Sequence, residues 1–581
     1  MMALNVQPRW EALPLPDSTT TDHLSEVLGV PTWIAQLLAQ RGVTTFDQAR
    51  TFFRPDLAQL LDPFLMQDMD LAVSRLRRAV LDGEHIRVYG DYDVDGTTAV
   101  ALMTTFLESL DANVDFYIPD RYAEGYGVSA QGIQDAAESG VGLLITLDCG
   151  VRATERIAEA RSAGIDVIVC DHHKPGDVLP DAVAVLDPNR VDCPYPCKAL
   201  SGCGVGFKLI EAYTRRTGGD PTTLEPYLDL VAVSIAADIV PITGENRVLM
   251  YYGLKQIMEA PRPGIRRLFA VAGHKSREKT VSDIVFTVAP RINAAGRMSS
   301  ARAAVEILRS EEADKTGELL ERIEAWNKDR RAHDRGVFEA AWTTVQADPF
   351  YIDAWSTVVW GEDWHKGVVG IAASRLIEHR YRPTLVLTRQ GEEYTGSARS
   401  IEGLDIHEVL KACSHLLSRY GGHAMAAGAT LPAENIEAFR EAFDVEVRRH
   451  LTEADLVPRI PIALDLELAE LDGKSWNVLK QMGPFGPGNM EPIFRAGPLL
   501  DAGGSRTIGS DKTHLRVQVC SMDGTGPLLE GVGFGLAEKG KRLLEGEPFY
   551  LAFTLQENEW QGRRRLQMMV KDVVYVSDLT S

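Results

Sequence analysis

Short apolar runs rich in β-branched residues alternate with helical patterns along the first part of the chain. The apolar runs lie at 86–90, 114–118, 142–148 and 165–171, and the helical patterns at 97–110, 130–139 and 152–163. Strands that alternate with helices of this length form right-handed crossovers in a parallel sheet whose two faces are covered. The pattern therefore predicts an α/β domain built on a parallel sheet.

Acidic and histidine residues gather where these predicted strands end. They are Asp91, Asp93 and Asp95 after the first strand, Asp148 at the end of the third, and Asp171, His172 and His173 after the fourth. An apolar segment at 227–240 adds Asp238 just before Pro241. Ligands bind beyond the carboxyl ends of parallel strands. Carboxylates and imidazole at that edge suit a two-metal site that cleaves phosphoesters.

The first acidic motif has two other interpretations. Asp-x-Asp-x-Asp-Gly opens an EF-hand loop, but the twelfth position, which should be Glu, is Leu102, and the motif follows a predicted strand rather than a helix. The segment at 93–97 also matches the start of haloacid dehalogenase phosphatases, in which the first Asp is a covalent nucleophile. That alternative leaves the Asp-His-His triplet at 171–173 unexplained, so the sequence favours a metal centre.

Patterns beyond this domain predict three further segments. Residues 300–345 form a long charged helical stretch, typical of a connector between domains. Residues 350–447 contain Gly-Ser-Arg and Gly-Gly-His turns, whose backbone N–H groups can approach a phosphate. Alternating apolar and polar residues at 455–581 predict a small antiparallel barrel.

Composition sets the broad class of protein. The chain has 581 residues, of which 45% are hydrophobic and 25% charged, as expected for a large multidomain enzyme. The N-terminal segment lacks the features of a signal peptide, and no apolar run is long enough to span a bilayer. We therefore expect a cytoplasmic protein with no membrane partner. Seven cysteines, an odd number, favour reduced thiols over a disulfide framework.

The net charge is −21, but charge is unevenly distributed along the chain. The stretch at 262–302 contains nine Lys or Arg residues against two acids. Positive charge concentrated within an acidic chain is a candidate phosphate-binding track. A solvated basic face without a ligand is the alternative.

Longer motifs carry a resemblance to a known family. The triplet at 171–173, with DYDVDG at 91–96, TLDCG at 146–150 and AADIVP at 236–241, resembles the DHH phosphoesterase superfamily. More specific segments follow: VAPRINAAGRM at 288–298, WHKGVVGIAASRL at 364–376, GSARS at 396–400, GGHAMAAG at 421–428 and PFGPGNMEPIF at 484–494. Together these ordered segments resemble the RecJ family of single-stranded-DNA-specific exonucleases, from about residue 80 to the end.

The resemblance implies a multidomain α/β architecture with five parts. They are an N-terminal extension packing on the catalytic domain (1–75), a parallel-sheet DHH catalytic domain (76–298), a connecting helix (299–347), an α/β DHHA1 domain (348–450) and a C-terminal β-barrel, an OB-fold that binds nucleic acid (455–581). It also implies a cleft between the catalytic and DHHA1 domains that admits a single strand.

The activity implied by the resemblance is that of a metal-dependent 5′–3′ exonuclease. Such an enzyme hydrolyses single-stranded DNA to 5′-mononucleotides in DNA repair and recombination. The implied cofactors are two divalent ions, Mn²⁺ or Mg²⁺, and the implied partners are single-stranded DNA, a helicase and a single-strand-binding protein, with the chain itself a monomer. A binding protein with an inert metal site and a small-molecule phosphatase are the alternatives. The presence of all the acidic residues and His172 disfavours a binding protein with an inert metal site. The C-terminal barrel and the basic stretch, which a small substrate does not require, disfavour a phosphatase.

The resemblance assigns residues to three roles. The implied metal ligands are Asp93, Asp95, Asp148, His172 and Asp238, and the catalytic candidates are Asp91 and His173, the latter in contact with the scissile phosphate. The candidate contacts to nucleic acid and its phosphates are Arg121, Arg291, Asn293, Arg297, Ser397, Arg399, Gly422 and His423. One position departs from related phosphoesterases, because Tyr89 stands where several of them have His. This departure puts the strength of one metal site in question.

Overall fold

The computed structural model describes residues 7–274, 276–310, 316–524, 526–560 and 563–579. These residues form two units. The first unit runs from Leu60 to Pro458, and the second joins Pro8–Gln59 to the described residues from Arg459 onward. Segments far apart in the sequence therefore build the second unit.

A parallel sheet organises the first part of the first unit. Its strands are β1 (Ile86–Gly90), β2 (Val114–Tyr117), β3 (Leu143–Leu147), β4 (Asp166–Cys170) and β5 (Ala184–Leu186). They pair in the order β2-β1-β3-β4-β5, and every neighbouring pair is parallel. All side chains of β1 and β3 are buried, as expected where helices cover both faces. The predicted parallel sheet is confirmed, and β5 is a strand that the sequence analysis did not identify.

Helices lie before, between and after the strands of this sheet. They include Met69–Asp82, α1 (Val94–Glu108), Ala130–Glu138, Thr154–Ser162, α2 (Gly202–Arg216), α3 (Leu228–Ala237) and Gly244–Glu259. Asp93 caps α1 by accepting the backbone N–H of Gly96 at 3.0 Å. A Cβ on Gly96 would lie 2.4 Å from the backbone oxygen of Asp91. Glycine is thus required for the tight turn that sets the first acidic motif at the end of β1.

A run of helices leads from the first sheet to a second one. It comprises Pro263–Val271, Val281–Asp283, a π-helical turn at Ile284–Val288, α4 (Ala289–Met298), Arg302–Arg309 and the 32-residue α5 (Thr316–Ala347). The charged stretch predicted as one connecting helix therefore contains two helices within the described residues.

The second sheet of the first unit is mixed. Its strands are β6 (Thr357–Gly361), β7 (Thr384–Gln390), β8 (Glu393–Arg399), β9 (Arg419–His423) and β10 (Ala426–Pro432), in the order β9-β10-β8-β7-β6. The β6–β7 pair is parallel, and the other neighbouring pairs are antiparallel. The accompanying helices include α6 (Val369–His379), Ile406–Ala412 and Ile436–His450. Phe439 and Phe443 are fully buried in its core.

The second unit contains the predicted barrel. Its strands, in sheet order, are Leu464–Asp465, Phe494–Asp501, Phe549–Trp560, Arg563–Tyr575, Leu529–Gly533, His514–Ser521 and Arg506–Ile508. An extra pairing of Phe494–Asp501 with His514–Ser521 closes the sheet on itself. The barrel also contains parallel pairs, such as Leu529–Gly533 with Arg563–Tyr575, so it is not wholly antiparallel.

Residues 8–59 belong to this second unit. The strand Arg9–Ala12 pairs in parallel with Arg459–Ile462. The helices Ser18–Leu28, Thr32–Gln40 and Phe46–Phe53 follow, and the Trp33 ring meets the Phe494 ring edge to face at 5.7 Å. This grouping differs from the expected N-terminal extension on the catalytic domain, because the apolar face of these helices is buried in the core of the barrel unit.

Within the part of the chain that the structure describes, no helix is both long enough and apolar enough to cross a bilayer.

Candidate metal centre and phosphate pocket

Loops at the carboxyl ends of β1, β3 and β4, together with the end of α3, bring four of the five predicted metal ligands together: Asp95, Asp148, His172 and Asp238. Asp93 lies beside Asp148 but belongs to neither candidate ligand group among the described residues. The Nε2 atom of His172 lies 3.1 Å from an oxygen of Asp148 and 3.7 Å from oxygens of both Asp95 and Asp238. The ligand atoms of Asp95, His172 and Asp238 lie within 4.8 Å of one another, and so do those of Asp148, His172 and His173. The two groups share His172 and can hold neighbouring divalent ions.

Asp148 has an unusual backbone conformation at the centre of this cluster. Its φ is 59°, in the left-handed region that costs a non-glycine residue about 1–2 kcal/mol. Gly202 begins α2 beside it, and a Cβ on Gly202 would lie 2.6 Å from the Cβ of Asp148. The start of α2 therefore packs directly against this carboxylate residue, and only glycine fits there.

The same helix start holds Asp95. The backbone N–H groups of Gly202 and Cys203 donate to its two oxygens at 2.7 and 2.8 Å, and the Ser234 hydroxyl donates at 2.7 Å. These contacts fix the orientation of a fully buried carboxylate. The residues at 201–203 were not predicted as part of the site, although a run of small residues before an apolar helix is a signal for them in the sequence.

Asp171 orients His173 instead of joining the ligand groups. Its Oδ1 atom accepts the Nδ1–H of His173 at 2.8 Å, and its Oδ2 atom accepts the N–H of Val151 at 2.9 Å. Although burial alone opposes it, the contact with His173 holds the pKa of Asp171 below its ordinary value. Burial alone would lower the pKa of His173, but Asp171 and the nearby acids raise it to about 9. His173 therefore carries positive charge in the metal-free site at neutral pH.

The remaining acidic residues of the site lie close enough to raise one another's pKa values. Burial and neighbouring carboxylates raise the pKa of Asp148 well above its ordinary value, raise that of Asp93, and bring that of Asp238 to about 8. Asp91 is buried, its pKa is raised, and its Oδ1 atom has no hydrogen-bond partner among the described residues. Hard oxygen donors with this excess of negative charge fit Mn²⁺ or Mg²⁺.

Tyr89, at the position that departs from related phosphoesterases, contacts residues outside the ligand groups. Its side chain is fully buried and its hydroxyl donates to the backbone oxygen of Gly127 at 3.0 Å. Its ring stacks on that of Tyr117, with centroids 5.3 Å apart. The Tyr89 hydroxyl also accepts the backbone N–H of Ser129 at 3.1 Å, so the side chain is tied to the segment at 127–129.

A second cluster, here called the arginine pocket, contains Arg121, Arg297, Arg330 and Arg399. Burial and the nearby charges of Arg121, Arg330 and Arg399 lower the pKa of Arg297 to about 10. Burial and Arg121 also lower the pKa of Arg399. Arg297 donates to the backbone oxygen of Gly367 at 2.7 Å. Arginines that lower one another's pKa mark a site suited to an anion.

The start of α6 completes this arginine pocket. A Cβ on Gly370, in the first turn of this 11-residue helix, would lie 2.8 Å from a guanidinium nitrogen of Arg399 and 3.2 Å from the hydroxyl of Ser397. A helix N-terminus beside a hydroxyl and a guanidinium is a phosphate-binding arrangement. The structure therefore brings together Arg297, Ser397 and Arg399 of the predicted phosphate contacts.

The arginine pocket lies next to the metal centre. A Cβ on Gly296 would lie 2.7 Å from the backbone oxygen of Tyr92, the residue between Asp91 and Asp93. The hydroxyl of Tyr122 donates to the backbone oxygen of Arg297 at 2.6 Å. The guanidinium of Arg121 lies over the Tyr92 ring, 4.7 Å from its centroid.

The other predicted contacts have different surroundings. Arg291, predicted as a DNA contact, is instead buried, forms an ion pair with Glu324 and donates to the backbone oxygen of Thr287. These contacts within the protein occupy its guanidinium. Asn293 is half-buried on α4. His423 stacks on His173 with 6.4 Å between centroids, and Gly422, with a φ of 140°, precedes it on the exposed strand β9.

Three family models match successive parts of the chain. The N-terminal domain of the DHH family matches residues 85–235, the DHHA1 domain residues 353–449 and the RecJ OB domain residues 462–572. The single-stranded-DNA-specific exonuclease RecJ of Bacillus subtilis strain 168 is 36% identical over 97% of this chain and 70% of its own length. The chain belongs to the RecJ family. RecJ of Escherichia coli K12 is 33% identical, over 94% of this chain and 96% of that protein.

Solved RecJ structures share the fold. The Mn²⁺ complex of RecJ from Thermus thermophilus gives a TM-score of 0.82 at 29% identity, covering 97% of this chain and 79% of that chain. The Mg²⁺ complex of RecJ from that organism gives 0.76 at 26% identity, covering 97% and 78%. The predicted multidomain α/β fold is confirmed, and the cofactors that this site fits are the ions seen in those RecJ structures.

We expect the affinity of this RecJ chain for Mn²⁺ to rise with pH. With the pKa of Asp238 at about 8, against an ordinary value of 3.8, metal must displace protons at neutral pH. Because the pKa of Asp238 is higher in the folded chain than in the unfolded chain, its protonation stabilises the metal-free fold. That stabilisation is complete below pH 3.8 and is lost as the pH rises through about 8. At a fixed concentration of free Mn²⁺, the increase in Tm should therefore be larger at about pH 8.5 than at about pH 6.5. Equal increases at both would contradict proton displacement.

Proposed function

We propose that this chain is a metal-dependent exonuclease that hydrolyses single-stranded DNA from its 5′ end to 5′-mononucleotides. The observation that carries the proposal is the contact between the arginine pocket and the metal-centre loop, through Gly296 and Tyr92. An anion site beside the metal centre suits an enzyme that holds a terminal phosphate while the next phosphodiester is cleaved. The relatives named as single-stranded-DNA-specific exonucleases support this substrate.

Each group of residues has a distinct role in this proposal. Asp93, Asp95, Asp148, His172 and Asp238 would hold the divalent ions, with Asp91 as a further acidic residue at the site. Divalent cations, when bound, supply Lewis acidity and lower the pKa of water. Asp171 contacts the Nδ1 atom of His173 at 2.8 Å, and the His173 ring would contact the scissile phosphate. Arg121, Arg297, Ser397 and Arg399 would bind and orient the terminal phosphate.

The remaining proposals concern DNA, partners and location. The barrel would bind single-stranded DNA, and Phe534, 64% exposed, offers a surface on which a base can stack. Asn293, Gly422 and His423 are proposed contacts to the strand. Following the family resemblance, we propose a monomer that acts in the cytoplasm in DNA repair and recombination, with a helicase and a single-strand-binding protein as partners.

Comparison of substrates tests the reaction class. With Mn²⁺, we expect hydrolysis of a single-stranded oligonucleotide, much slower hydrolysis of its blunt duplex, and none of the phosphomonoester p-nitrophenyl phosphate. Addition of EDTA should stop the reaction. Cleavage of the phosphomonoester without cleavage of DNA would indicate a phosphatase, and DNA binding without any hydrolysis would indicate an inert metal site.

A further inference from the structure

One tyrosine touches two parts of the metal centre. The hydroxyl of Tyr126 donates to the backbone oxygen of Asp148 at 3.1 Å, and it lies 3.2 Å from Nε2 and 3.3 Å from Nδ1 of His173. The Tyr126 and His173 rings meet edge to face, with centroids 5.8 Å apart. Tyr126 is therefore in contact with the residues that we place at the ions and at the scissile phosphate.

Both contacts act on groups whose geometry is critical. Asp148 has a left-handed backbone, so a donor to its carbonyl group helps to hold a conformation that is otherwise unfavourable. The Nδ1 atom of His173 already contacts Asp171 at 2.8 Å. The Tyr126 hydroxyl is a further contact on the same ring, and together the two contacts restrict how the ring can rotate.

The loop that carries Tyr126 is anchored by Tyr89. The Tyr89 hydroxyl donates to the backbone oxygen of Gly127 and accepts the backbone N–H of Ser129 at 3.1 Å. Gly127 directly follows Tyr126. Because Tyr89 is fully buried and stacked on Tyr117, its hydroxyl is a fixed point for this loop.

We propose that Tyr126 is a positioning residue for His173 and Asp148, and that Tyr89 acts on the reaction by anchoring the Tyr126 loop. This inference rests on the proposed function. It gives a role to the position at which this chain departs from related phosphoesterases: Tyr89 acts through the loop rather than as a ligand. Outer partners of a metal site typically contribute about 10- to 100-fold to activity.

Two phenylalanine variants test the inference kinetically. Tyr126→Phe keeps the ring and removes the hydroxyl, and should lower kcat about 10- to 100-fold with little change in KM for single-stranded DNA. Tyr89→Phe should lower kcat as well. The double variant should be no slower than Tyr126→Phe, because Tyr89 acts through Tyr126. Tyr251→Phe, on the exposed side of the helix Gly244–Glu259, is the matched control and should leave kcat unchanged.

A spectroscopic readout separates this inference from the proposed function. In the metal-free full chain labelled with ¹⁵N-histidine, the His173 signals can be assigned with His173→Gln. Tyr126→Phe and Tyr89→Phe should shift these signals, and Tyr251→Phe should not. This readout decides the positioning role even if the parent chain does not cleave DNA, which would contradict the proposed function alone.

Three results would overturn the positioning role. They are unchanged His173 signals in Tyr126→Phe, an unchanged kcat in that variant, or multiplicative losses of kcat in the double variant. If Tyr89→Phe does not fold, Tyr126→Phe still decides, because Tyr126 is 56% exposed and the substitution keeps its ring.

Discussion

Asp148→Asn is expected to lower the hydrolysis of single-stranded DNA by about 10³-fold, equivalent to about 4 kcal/mol of transition-state stabilisation. The carboxylate of Asp148 belongs to one candidate ligand group and lies 3.1 Å from His172, which belongs to both. Asparagine keeps the size of the side chain and tolerates the left-handed backbone at φ 59°, so the substitution removes charge without adding strain. DNA binding should remain measurable, because the arginine pocket is unchanged.

Asp111→Asn is the matched control for this substitution. Asp111 is exposed, lies just before β2 and also has a left-handed backbone, with φ 55°. The Asp111→Asn variant should cleave DNA at the parental rate. Single-turnover assays at saturating Mn²⁺, with binding measured separately by fluorescence anisotropy, resolve the two steps. Parental cleavage by Asp148→Asn would remove Asp148 from the metal centre.

Arg399→Ala is expected to raise KM for a 5′-phosphorylated strand about 10- to 100-fold. A charged hydrogen bond to a phosphate contributes about 1.5–3 kcal/mol, which corresponds to this range. Arg399 lies beside Ser397 and the first turn of α6, and burial together with Arg121 leaves it with a lowered pKa. A 5′-phosphate in the pocket would supply the missing negative charge.

Strands with a 5′-phosphate and with a 5′-hydroxyl distinguish a phosphate contact from a general loss of folding. Arg399→Ala should reduce the preference for the phosphorylated strand while leaving KM for the hydroxyl strand nearly unchanged. Arg389→Ala, on the adjacent strand β7 and paired with Glu362, is the control and should keep the preference. Equal losses on both strands would indicate that Arg399 does not contact the terminal phosphate.

The first sheet, and the edge of it that carries the acidic and histidine residues, could be predicted because strand, helix and ligand motifs are adjacent in the sequence there. The apolar run at 86–90 ends directly at Asp91, and the tight turn at Gly96 begins α1, so strand, ligand and helix follow within a few residues. Asp148 and His172 end their strands in the same way, and parallel pairing brings all of these ends to one edge. The short strand β5, three residues long, had too few positions to show a pattern.

Residues that act through contacts distant in sequence were harder to predict. Arg291 lies in a basic stretch, yet its ion-pair partner is Glu324 on α5, which only the fold brings close. Gly202 contacts Asp148 across more than 50 residues of chain. Tyr126 carries no motif of its own, and its role depends on the exact approach of its loop to His173. The grouping of residues 8–59 with the barrel likewise depends on pairing with Arg459–Ile462.

Product analysis of one single strand, labelled at either end, tests the proposed 5′–3′ exonuclease activity. With Mn²⁺ and a strand carrying a ³²P-labelled 5′-phosphate, we expect the label to appear first in a 5′-mononucleotide. The same strand labelled at its 3′ end should shorten progressively. Early release of the 3′ label, internal fragments from the first time points, or release of the 5′ label as inorganic phosphate would contradict a 5′–3′ exonuclease.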